Sequence, residues 1–279
     1  NVIKNGDTTF LRHKHIDLDT HIDFLKGKDI MTIQPTTVHL EGSEFSMSGT
    51  IDFLKDALLD LKFNGNKPNF DLFVAMAPEE MIPTLMEYKN KGEIYIKTQI
   101  KGKSINGNTP AINAQFGCHN GYIINPKTGK KIDGLNFEGS FTNGQERNLS
   151  TMKVLFNDFS ARPEAGKISG DIDVSNFKAP HVKMNLNSHF DLGFVSKFLN
   201  LDHVHNVSGA AEVNIQFDDI IDLNNPHHSV SKLNEEYEMM IALNNVHFSS
   251  DAYELPLKNL NFRAEVHGHQ AKIKIFDLL

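Results

Sequence analysis

The hexapeptide IDGLNF at residues 132–137 returns as LKNLNF at residues 257–262, after 125 positions. The same spacing separates the tetrapeptide NGYI at 120–123 from NVHF at 245–248. Self-similarity at a fixed distance is typical of repeat proteins, in which neighbouring units stack side by side. The joint surface of the stacked units, rather than one pocket, is therefore the predicted functional feature.

Two further pairs of blocks recur in the same order at slightly shorter spacings. SGTID at 48–52 matches SGDID at 169–173, and the tripeptide FDL occurs at both 70–72 and 190–192. Because the order is preserved while the spacing varies, we expect the differences in length to lie in loops.

We predict one repeat at 1–131, with a partial preceding strand, a second at 132–256, and the start of a third at 257–279. The first residue is Asn rather than Met, and the strand predicted at 272–276 stops as the third repeat begins. We therefore expect the native chain to extend beyond both ends. No apolar run approaches the ~20 residues of a membrane-spanning helix.

The chain is acidic and moderately apolar, with a net charge of -7, 39% hydrophobic residues, 20 Phe and no Trp. This composition suits a sheet with one wet face better than a thick two-layer core. A nucleic-acid partner is not expected, because phosphate binding needs a basic surface. The single cysteine, Cys118, cannot form an internal disulfide, which indicates a reducing compartment or an envelope protein without disulfides.

Apolar and polar residues alternate with a period of two through much of the chain, which predicts strands with one apolar and one wet face. In one such segment, Ile94, Ile96 and Ile100 lie on one side and Lys97 on the other. Turn residues recur at short intervals, as expected for an antiparallel meander. Gly49 on its strand would let the sheet bend sharply, and strong bending would turn the apolar face into a trough.

Helix signals are few. Pro78 followed by two acidic residues predicts a short helix over 78–82. Asp191 is a predicted N-cap for its counterpart over 191–199. Residues 53–60 fit either a helical turn or a strand, and residues 224–231 are predicted to form a loop.

Paired histidines raise the question of a metal site, because two imidazoles on one face of a strand form half of a zinc site. The pairs occupy unrelated places in the repeat, and no zinc-enzyme motif accompanies them. Histidines of the polar face or of loops are the favoured interpretation, and no metal or cofactor is predicted. A metal-dependent enzyme is kept as a rival hypothesis. The pairs are His13 with His15, His203 with His205, His267 with His269, and His227 with His228.

A nucleophilic active site is not indicated. Cys118 stands next to His119, but catalytic Cys and His residues are brought together by the fold rather than by adjacency in the sequence. The chain has neither a G-x-S-x-G motif nor a phosphate-binding loop. We therefore predict that the protein is not an enzyme.

The apolar side of the strands is the remaining candidate for a functional surface. It could be a core, closed by a second sheet or by the helices. It could instead stay open as a trough for a ligand with apolar chains and a polar head, such as a lipid, which is the interpretation we favour. The predicted lining residues are Ile94, Ile96, Ile100, Leu135, Phe137, Val213, Ile215, Phe217, Leu260 and Phe262.

The repeated blocks resemble the AsmA-like family of bacterial envelope proteins, in the C-terminal region of that family. The similarity covers most of the chain, and the abundant Asn and Lys resemble members from Bacteroidetes. The blocks that carry it are SGTID at 48–52, SGDIDV at 169–174, FDLFVAMAP at 70–78, FDLGFVSKFLNL at 190–201, VSGAAEVNIQF at 207–217 and LKNLNFRAEV at 257–266.

The resemblance implies a mostly-β fold: an elongated, twisted antiparallel sheet of repeated β-groove units with one short helix per unit. It implies a periplasmic protein held at the inner membrane by an N-terminal anchor that this sequence lacks. It further implies a non-enzymatic groove that conducts phospholipid or another acyl-chain lipid between membranes in outer-membrane biogenesis, with envelope proteins as possible partners. The alternative is a structural or scaffolding β-repeat protein of the envelope with a closed apolar core.

Overall fold

Antiparallel β-structure dominates the computed structural model of the chain, which confirms the predicted mostly-β class. Seventeen strands, β1 to β17, lie within the described part of the chain. The described residues are 2–5, 8–12, 15–25, 27–40, 43–67, 69–71, 86–220, 237–268 and 270–278.

The first eight strands precede residue 104 and are short at the start of the chain. They are β1 Val2–Asn5, β2 Thr8–Arg12, β3 Ile16–Asp19, β4 Ile22–Leu25, β5 Ile30–Leu40, β6 Ser43–Asp52, β7 Leu58–Lys67 and β8 Lys89–Lys103. The later strands are β9 Ala111–Ile124, β10 Lys131–Thr142, β11 Lys153–Pro163, β12 Lys167–Ser175, β13 His181–Asp191, β14 Val204–Ile220, β15 Glu238–Ser250, β16 Tyr253–His267 and β17 Gln270–Asp277.

Helical structure is confined, among the described residues, to short pieces. Helix α1 spans Leu192–Phe198, so the helix predicted over 191–199 is present with Asp191 as its N-cap. The ambiguous segment 53–60 holds a 3-10 turn, Phe53–Lys55, and then the start of β7. The helix predicted over 78–82 and the loop predicted over 224–231 lie outside the described residues.

The chain divides into two compact units. The N-terminal unit comprises residues 1–119 and 138–154, and the C-terminal unit comprises residues 120–137 and 155–279. The predicted repeats at 1–131, 132–256 and 257–279 divide the chain differently, and their boundaries stay a prediction.

The N-terminal unit is an antiparallel meander whose order along the sheet follows the order along the chain. Strands β3 and β4 both pair with β5, which pairs with β6, and β7 and β8 follow in turn. β1 and β2 pair only with each other. Such sequential hairpins need only short turns, which agrees with the closely spaced turn residues of the sequence.

The C-terminal unit has the same sequential topology. Strands β12 to β17 pair each with the next, and all five pairings are antiparallel. Register shifts interrupt the β14–β15, β15–β16 and β16–β17 pairings. Such bulges increase the local twist of a sheet.

Two glycines 121 residues apart have the same surroundings. Gly49 pairs with Leu61, and a Cβ added to it would lie 2.0 Å from the carbonyl oxygen of Asp60. Gly170 pairs with Leu186, and its added Cβ would lie 2.0 Å from the carbonyl oxygen of Asn185. At each site the neighbouring backbone approaches so closely that only glycine fits.

The two aspartates of the FDL blocks do not share this register. Asp71 lies ten residues after Leu61, whereas Asp191 lies five residues after Leu186. Only Asp191 is described as the cap of a complete helix. The two predicted repeats therefore differ in length not only in the hairpin turns. They differ also in the segment that runs from the leucine paired with the glycine to the aspartate.

An asparagine bridge also occurs twice at a spacing of 125 residues. The backbone N–H of Asn120 donates to Oδ1 of Asn136 at 2.9 Å, and that of Asn245 donates to Oδ1 of Asn261 at 2.9 Å. Both donors have positive φ, 50° and 49°. Asparagine tolerates this left-handed conformation better than most residues, so each bridge holds a backbone N–H that is turned toward a side chain. Asn245 lies at a register shift of the β15–β16 pairing.

Candidate functional site

The C-terminal unit carries an apolar face that crosses six strands. Because directly paired residues of antiparallel strands lie on the same side of a sheet, the register defines cross-strand rows. From β12 to β17, one row comprises Ile168, Ser188, Val213, Ile241, Ala264 and Ile273, and the next comprises Gly170, Leu186, Ile215, Met239, Val266 and Ala271. A third row, from β13 to β17, comprises Phe190, Ala211, Leu243, Phe262 and Phe276. We call these three rows the C-terminal apolar face.

Most side chains of the C-terminal apolar face are half-buried. Val213, Ile215 and Leu243 belong to this class, and at β17 the exposure rises to 61% for Ile273 and 66% for Phe276. The polar member of the rows, Ser188, donates its hydroxyl to the carbonyl oxygen of Val213 at 2.9 Å and so presents no unsatisfied group. Side chains that are enclosed between two layers are buried almost completely. Because most side chains of this face are only half-buried, a ligand could cover their exposed part.

Helix α1 lies against β13 and β14. Asp191 accepts the N–H of Phe194 at 2.7 Å, which satisfies one of the free donors of the first turn. Phe194 and Phe198 are buried, with their rings stacked at 5.6 Å. The buried side chain of Asn125 donates to the carbonyl oxygen of Phe198 at 2.7 Å, so the end of α1 is tied to the loop between β9 and β10.

The ten predicted lining residues fall into both units. Within the C-terminal unit, Val213 and Ile215 belong to the rows of β14, and Phe262 lies in the third row on β16. Phe217 continues the same side of β14, two residues beyond Ile215, and Leu260 precedes Phe262 by two residues on β16. The structure therefore brings these five together on one face.

Leu135 and Phe137 lie on β10 within the C-terminal unit. Both are buried, and the ring of Phe137 lies 5.9 Å from that of Phe156 in a tilted arrangement. Aromatic pairs at this distance and tilt stabilise a packed core. These two residues therefore pack within the protein, in contrast to the half-buried Val213 and Ile215 of β14.

Ile94, Ile96 and Ile100 lie on β8 in the N-terminal unit. Ile94 is 0% and Ile96 6% exposed, whereas Lys97 on the other side of the strand is exposed. The predicted alternation is confirmed for this strand. Ile100 is the last member of a cross-strand row that begins with Ile33 and passes through Gly49 and Leu61.

A tyrosine, a histidine and a glutamate meet on the polar side of the N-terminal unit. Tyr95 on β8 donates its hydroxyl to the carboxylate of Glu138 on β10. Nε2 of His119 on β9 lies 3.1 Å from the same carboxylate, and its ring stacks on Tyr95 at 6.0 Å. Burial raises the pKa of Tyr95 to about 12, and the hydrogen bond to Glu138 acts in the same direction.

Sequence reasoning missed this cluster, because its members are far apart in the chain and no motif joins them. The only available signal is that each residue lies on the polar side of a strand and that β8, β9 and β10 are consecutive. An open cavity of about 650 Å³ adjoins Tyr95 and His119 and is lined also by Asn66, Lys67, Glu93, Lys97 and Gln115.

Ion pairs cover the polar side of both units. In the N-terminal unit, Asp60 accepts from Gln99 at 3.1 Å and pairs with Lys101 at 3.1 Å, and these hydrogen bonds lower the pKa of Asp60. In the C-terminal unit, the hydrogen bond from Lys274 at 3.0 Å lowers the pKa of Glu265. These groups are at least partly exposed to solvent, so each pair adds little stability, but together they keep the polar side hydrated.

Several histidines pair with carboxylates rather than with one another. His203 and His205 both approach Asp251, at 3.5 and 2.8 Å, and His267 lies 3.5 Å from Glu238. Among the described residues, no group of three His, Cys, Asp or Glu side chains is arranged to hold a metal ion. His13, His227, His228 and His269 lie outside the described residues.

The remaining candidate for a reactive group is the single cysteine, and its surroundings are those of a structural residue. Cys118 is completely buried in β9, which is typical of an inert thiol.

Within the described part of the chain, no helix has both the length and the apolar character required to cross a membrane.

Comparisons of the chain with protein-family models, with curated proteins and with solved structures give no match.

Proposed function

We propose that the protein binds lipid acyl chains on the C-terminal apolar face and does not act as an enzyme. The single observation that supports this most strongly is the set of three apolar rows across β12 to β17, most of whose members are half-buried and whose members on β17 are exposed. Covering such a surface with an acyl chain stabilises the complex by about 0.8 kcal/mol for each methylene removed from water.

The resemblance to AsmA-like proteins leads to the fuller form of the proposal. The groove conducts phospholipid, or another acyl-chain lipid, between the two membranes of the cell envelope. The protein resides in the periplasm, held at the inner membrane by a segment outside this sequence, and acts in outer-membrane biogenesis beside other envelope proteins.

A structural β-repeat with a closed apolar core is the second candidate. Ile94 and Ile96, which are almost fully buried in the N-terminal unit, favour it. The paired Phe137 and Phe156 in the C-terminal unit favour it too, because packed rings leave no room for a ligand. The two candidates differ in whether purified protein carries lipid and in how the half-buried rows respond to a charge.

The test is to extract the purified protein with organic solvent and identify bound lipid by mass spectrometry. Ile215→Asp places a carboxylate in the middle of the second row. On a face open to water this charge stays solvated, so we expect the protein to remain folded while its bound lipid falls. In a closed core the same unpaired charge costs several kcal/mol, so the protein would unfold.

The matched control is Gln216→Asp, which adds the same charge on the exposed side of the same strand. We expect this variant to keep both its melting temperature and its lipid. The proposal fails if the wild-type protein yields no lipid, or if Ile215→Asp folds and keeps a wild-type amount.

A further inference from the structure

Asparagine is followed directly by glycine at five places in the chain: 5–6, 64–65, 106–107, 120–121 and 143–144. In such a pair the backbone nitrogen of the glycine can attack the side-chain carbonyl carbon of the asparagine, because glycine has no side chain to obstruct the approach. Gly6 lies outside the described residues. The other four pairs are complete in the structure, and the fold restrains them to different degrees.

The reaction needs only water, and it changes the charge of the chain. The glycine nitrogen forms a bond to Cγ and gives up its proton, while the bond from Cγ to Nδ2 breaks and the amide leaves as ammonia with that proton. Water then adds its oxygen to either carbonyl carbon of the resulting five-membered imide and its hydrogen to the ring nitrogen. The ring opens to aspartate or isoaspartate, and each carries a carboxylate that asparagine lacked.

Two of the four pairs lie inside strands. The imide ring closes only if the backbone rotates about the Cα–C bond of the asparagine, and pairing within a sheet resists that rotation. Asn64 in β7 pairs with Ser46 on one side and with Lys97 on the other. Asn120 lies within β9, and its N–H is bonded to Oδ1 of Asn136 at 2.9 Å. The fold therefore protects both pairs.

A third pair is held by bonds to its own reacting groups. Asn143 is only 2% exposed, and its Oδ1 accepts the N–H of Ile112 at 2.9 Å. Its Nδ2 donates to the carbonyl oxygen of Pro110 at 2.9 Å. The N–H of Gly144 donates to the hydroxyl of Thr142 at 3.1 Å. The nitrogen that would attack and the amide that would leave are thus both engaged.

The fourth pair, Asn106 and Gly107, lies in the exposed turn between β8 and β9. A Cβ added to Gly107 would meet no atom within 4 Å, and no described residue accepts a hydrogen bond from its N–H. Asn108 closes the turn by donating its N–H and its side chain to the carbonyl oxygen of Ile105, at 3.2 and 2.9 Å. These residues are exposed, and turns whose bonds face water open at little cost. The nitrogen of Gly107 can therefore reach Cγ of Asn106.

The side chain of Asn106 links this turn to the 3-10 turn after β6. Its Nδ2 donates to Oδ1 of Asp56 at 3.1 Å, and Nζ of Lys103 lies 3.0 Å from Oδ2 of the same carboxylate. The hydrogen bond from Lys103, and after it the one from Asn106, lower the pKa of Asp56. Conversion of Asn106 would replace the donor by a second carboxylate, so that one lysine faces two negative charges.

We propose that Asn106 is a site of spontaneous covalent modification, at which conversion to aspartate or isoaspartate breaks the link between the turn after β8 and the turn after β6. Of the four pairs complete in the structure, this one combines an exposed asparagine with a glycine nitrogen that has no partner among the described residues. The modification does not depend on acyl-chain binding, so either proposal can fail while the other holds.

Peptide mapping of the folded protein tests the selection. Trypsin cleaves after Lys103 and Lys127, and the resulting peptide 104–127 contains both Asn106 and Asn120. After incubation in mildly alkaline buffer, we expect the mass gain of the exchange of NH2 for OH at Asn106 well before Asn120, Asn64 or Asn143. In urea, where the strands are lost, Asn106 and Asn120 should convert at similar rates.

Variants test the chemistry and its effect on the turns. Asn106→Gln is the control for the reaction, because its longer side chain would have to close a larger ring, and we expect no mass gain at that position. Asn106→Ala removes the donor without adding charge. Asn106→Asp should melt at a lower temperature than Asn106→Ala in low salt, and salt should reduce the difference by screening. Adding Asp56→Asn to Asn106→Asp should restore the loss, since it removes the facing carboxylate.

Two outcomes would overturn the selection of Asn106: no mass gain there in the folded protein, or conversion of Asn106 and Asn120 at the same rate before unfolding. The effect on the turns would be refuted by an Asn106→Asp variant that melts at the wild-type temperature in low salt.

Discussion

The backbone N–H of Asn245 donates to the side-chain oxygen of Asn261 at 2.9 Å, and Asn120 makes the same bond to Asn136, 125 residues earlier in the chain. Both acceptors also donate back to their own strand: Asn136 to the carbonyl oxygen of Gly134, and Asn261 to that of Asn259. Equal bonds at equal spacing show that the LNF tripeptide shared by residues 135–137 and 260–262 accompanies a recurring local backbone geometry, not only an apolar pattern.

The Asn245–Asn261 bridge should contribute about 0.5–1.5 kcal/mol to the free energy of unfolding, as a typical hydrogen bond does. We expect Asn261→Leu to lose this amount, because the N–H of Asn245 then has no side-chain acceptor. Asn261→Asp keeps the acceptor oxygen and should lose less. Urea unfolding of both variants checks the prediction, and equal stabilities for the two would contradict it.

Gly170→Ala should destabilise the C-terminal unit by about 1–3 kcal/mol, the usual range for forcing a group into a packed site. The reason is the carbonyl oxygen of Asn185, which would lie 2.0 Å from the new Cβ. Ser169→Ala, one residue away, is the control and should change the unfolding free energy by much less. If Gly170→Ala unfolds at the wild-type urea concentration, the close approach at this glycine is wrong.

Asp191→Ala should remove the cap of α1 and reduce stability by about 0.5–2 kcal/mol. The N–H of Phe194 would lose its 2.7 Å bond to the carboxylate. Asp191→Asn retains an acceptor at the same place and should keep most of the stability. Thermal unfolding compares the three proteins, and an alanine variant as stable as the asparagine variant would show that the cap contributes nothing.

Stability should fall as the pH rises from 10 toward 12, because of Tyr95. Its pKa is about 12 in the folded protein against 10.0 without burial. A raised pKa means that the folded state holds the phenolic proton more tightly. The contribution of Tyr95 to the free energy of unfolding is therefore complete below pH 10, and it is lost as the pH rises through the pKa of Tyr95 in the folded protein.

Tyr95→Phe tests this sign, because phenylalanine has no proton to lose. We expect the wild-type protein to show a steeper loss of stability than Tyr95→Phe across this alkaline range, measured by urea unfolding at a series of pH values. Ultraviolet titration should show one fewer late-ionising tyrosine in the variant. Parallel stability curves for the two proteins would rule out a raised pKa at Tyr95.

The alternation of residues along β8 was sufficient to predict which of its side chains avoid water. Ile94 and Ile96 are buried and Lys97 is exposed, as the period of two requires. Side chains of a strand point to opposite faces in turn, so this property is local and needs no knowledge of neighbouring strands. The helix cap at Asp191 was predictable for the same reason, since a cap acts within four residues.

Contacts between strands could not be predicted in the same way. Nothing in the sequence places Glu138 against Tyr95, because the register of a pairing depends on turns and bulges. The extra residues between Leu61 and Asp71 illustrate this: the repeated FDL letters align, yet Asp71 lies ten residues after the leucine that pairs with Gly49, and Asp191 lies five residues after the leucine that pairs with Gly170.

The sequence by itself thus determined the β class and the two sides of each strand, because these follow from backbone sterics and residue polarity over short distances. The tertiary structure alone decided the depth of burial. It left Val213 and Ile215 half-buried while enclosing Leu135 and Phe137, although all four are equally apolar. Burial depends on what packs above a face, and that is a property of the assembled sheet rather than of any one strand.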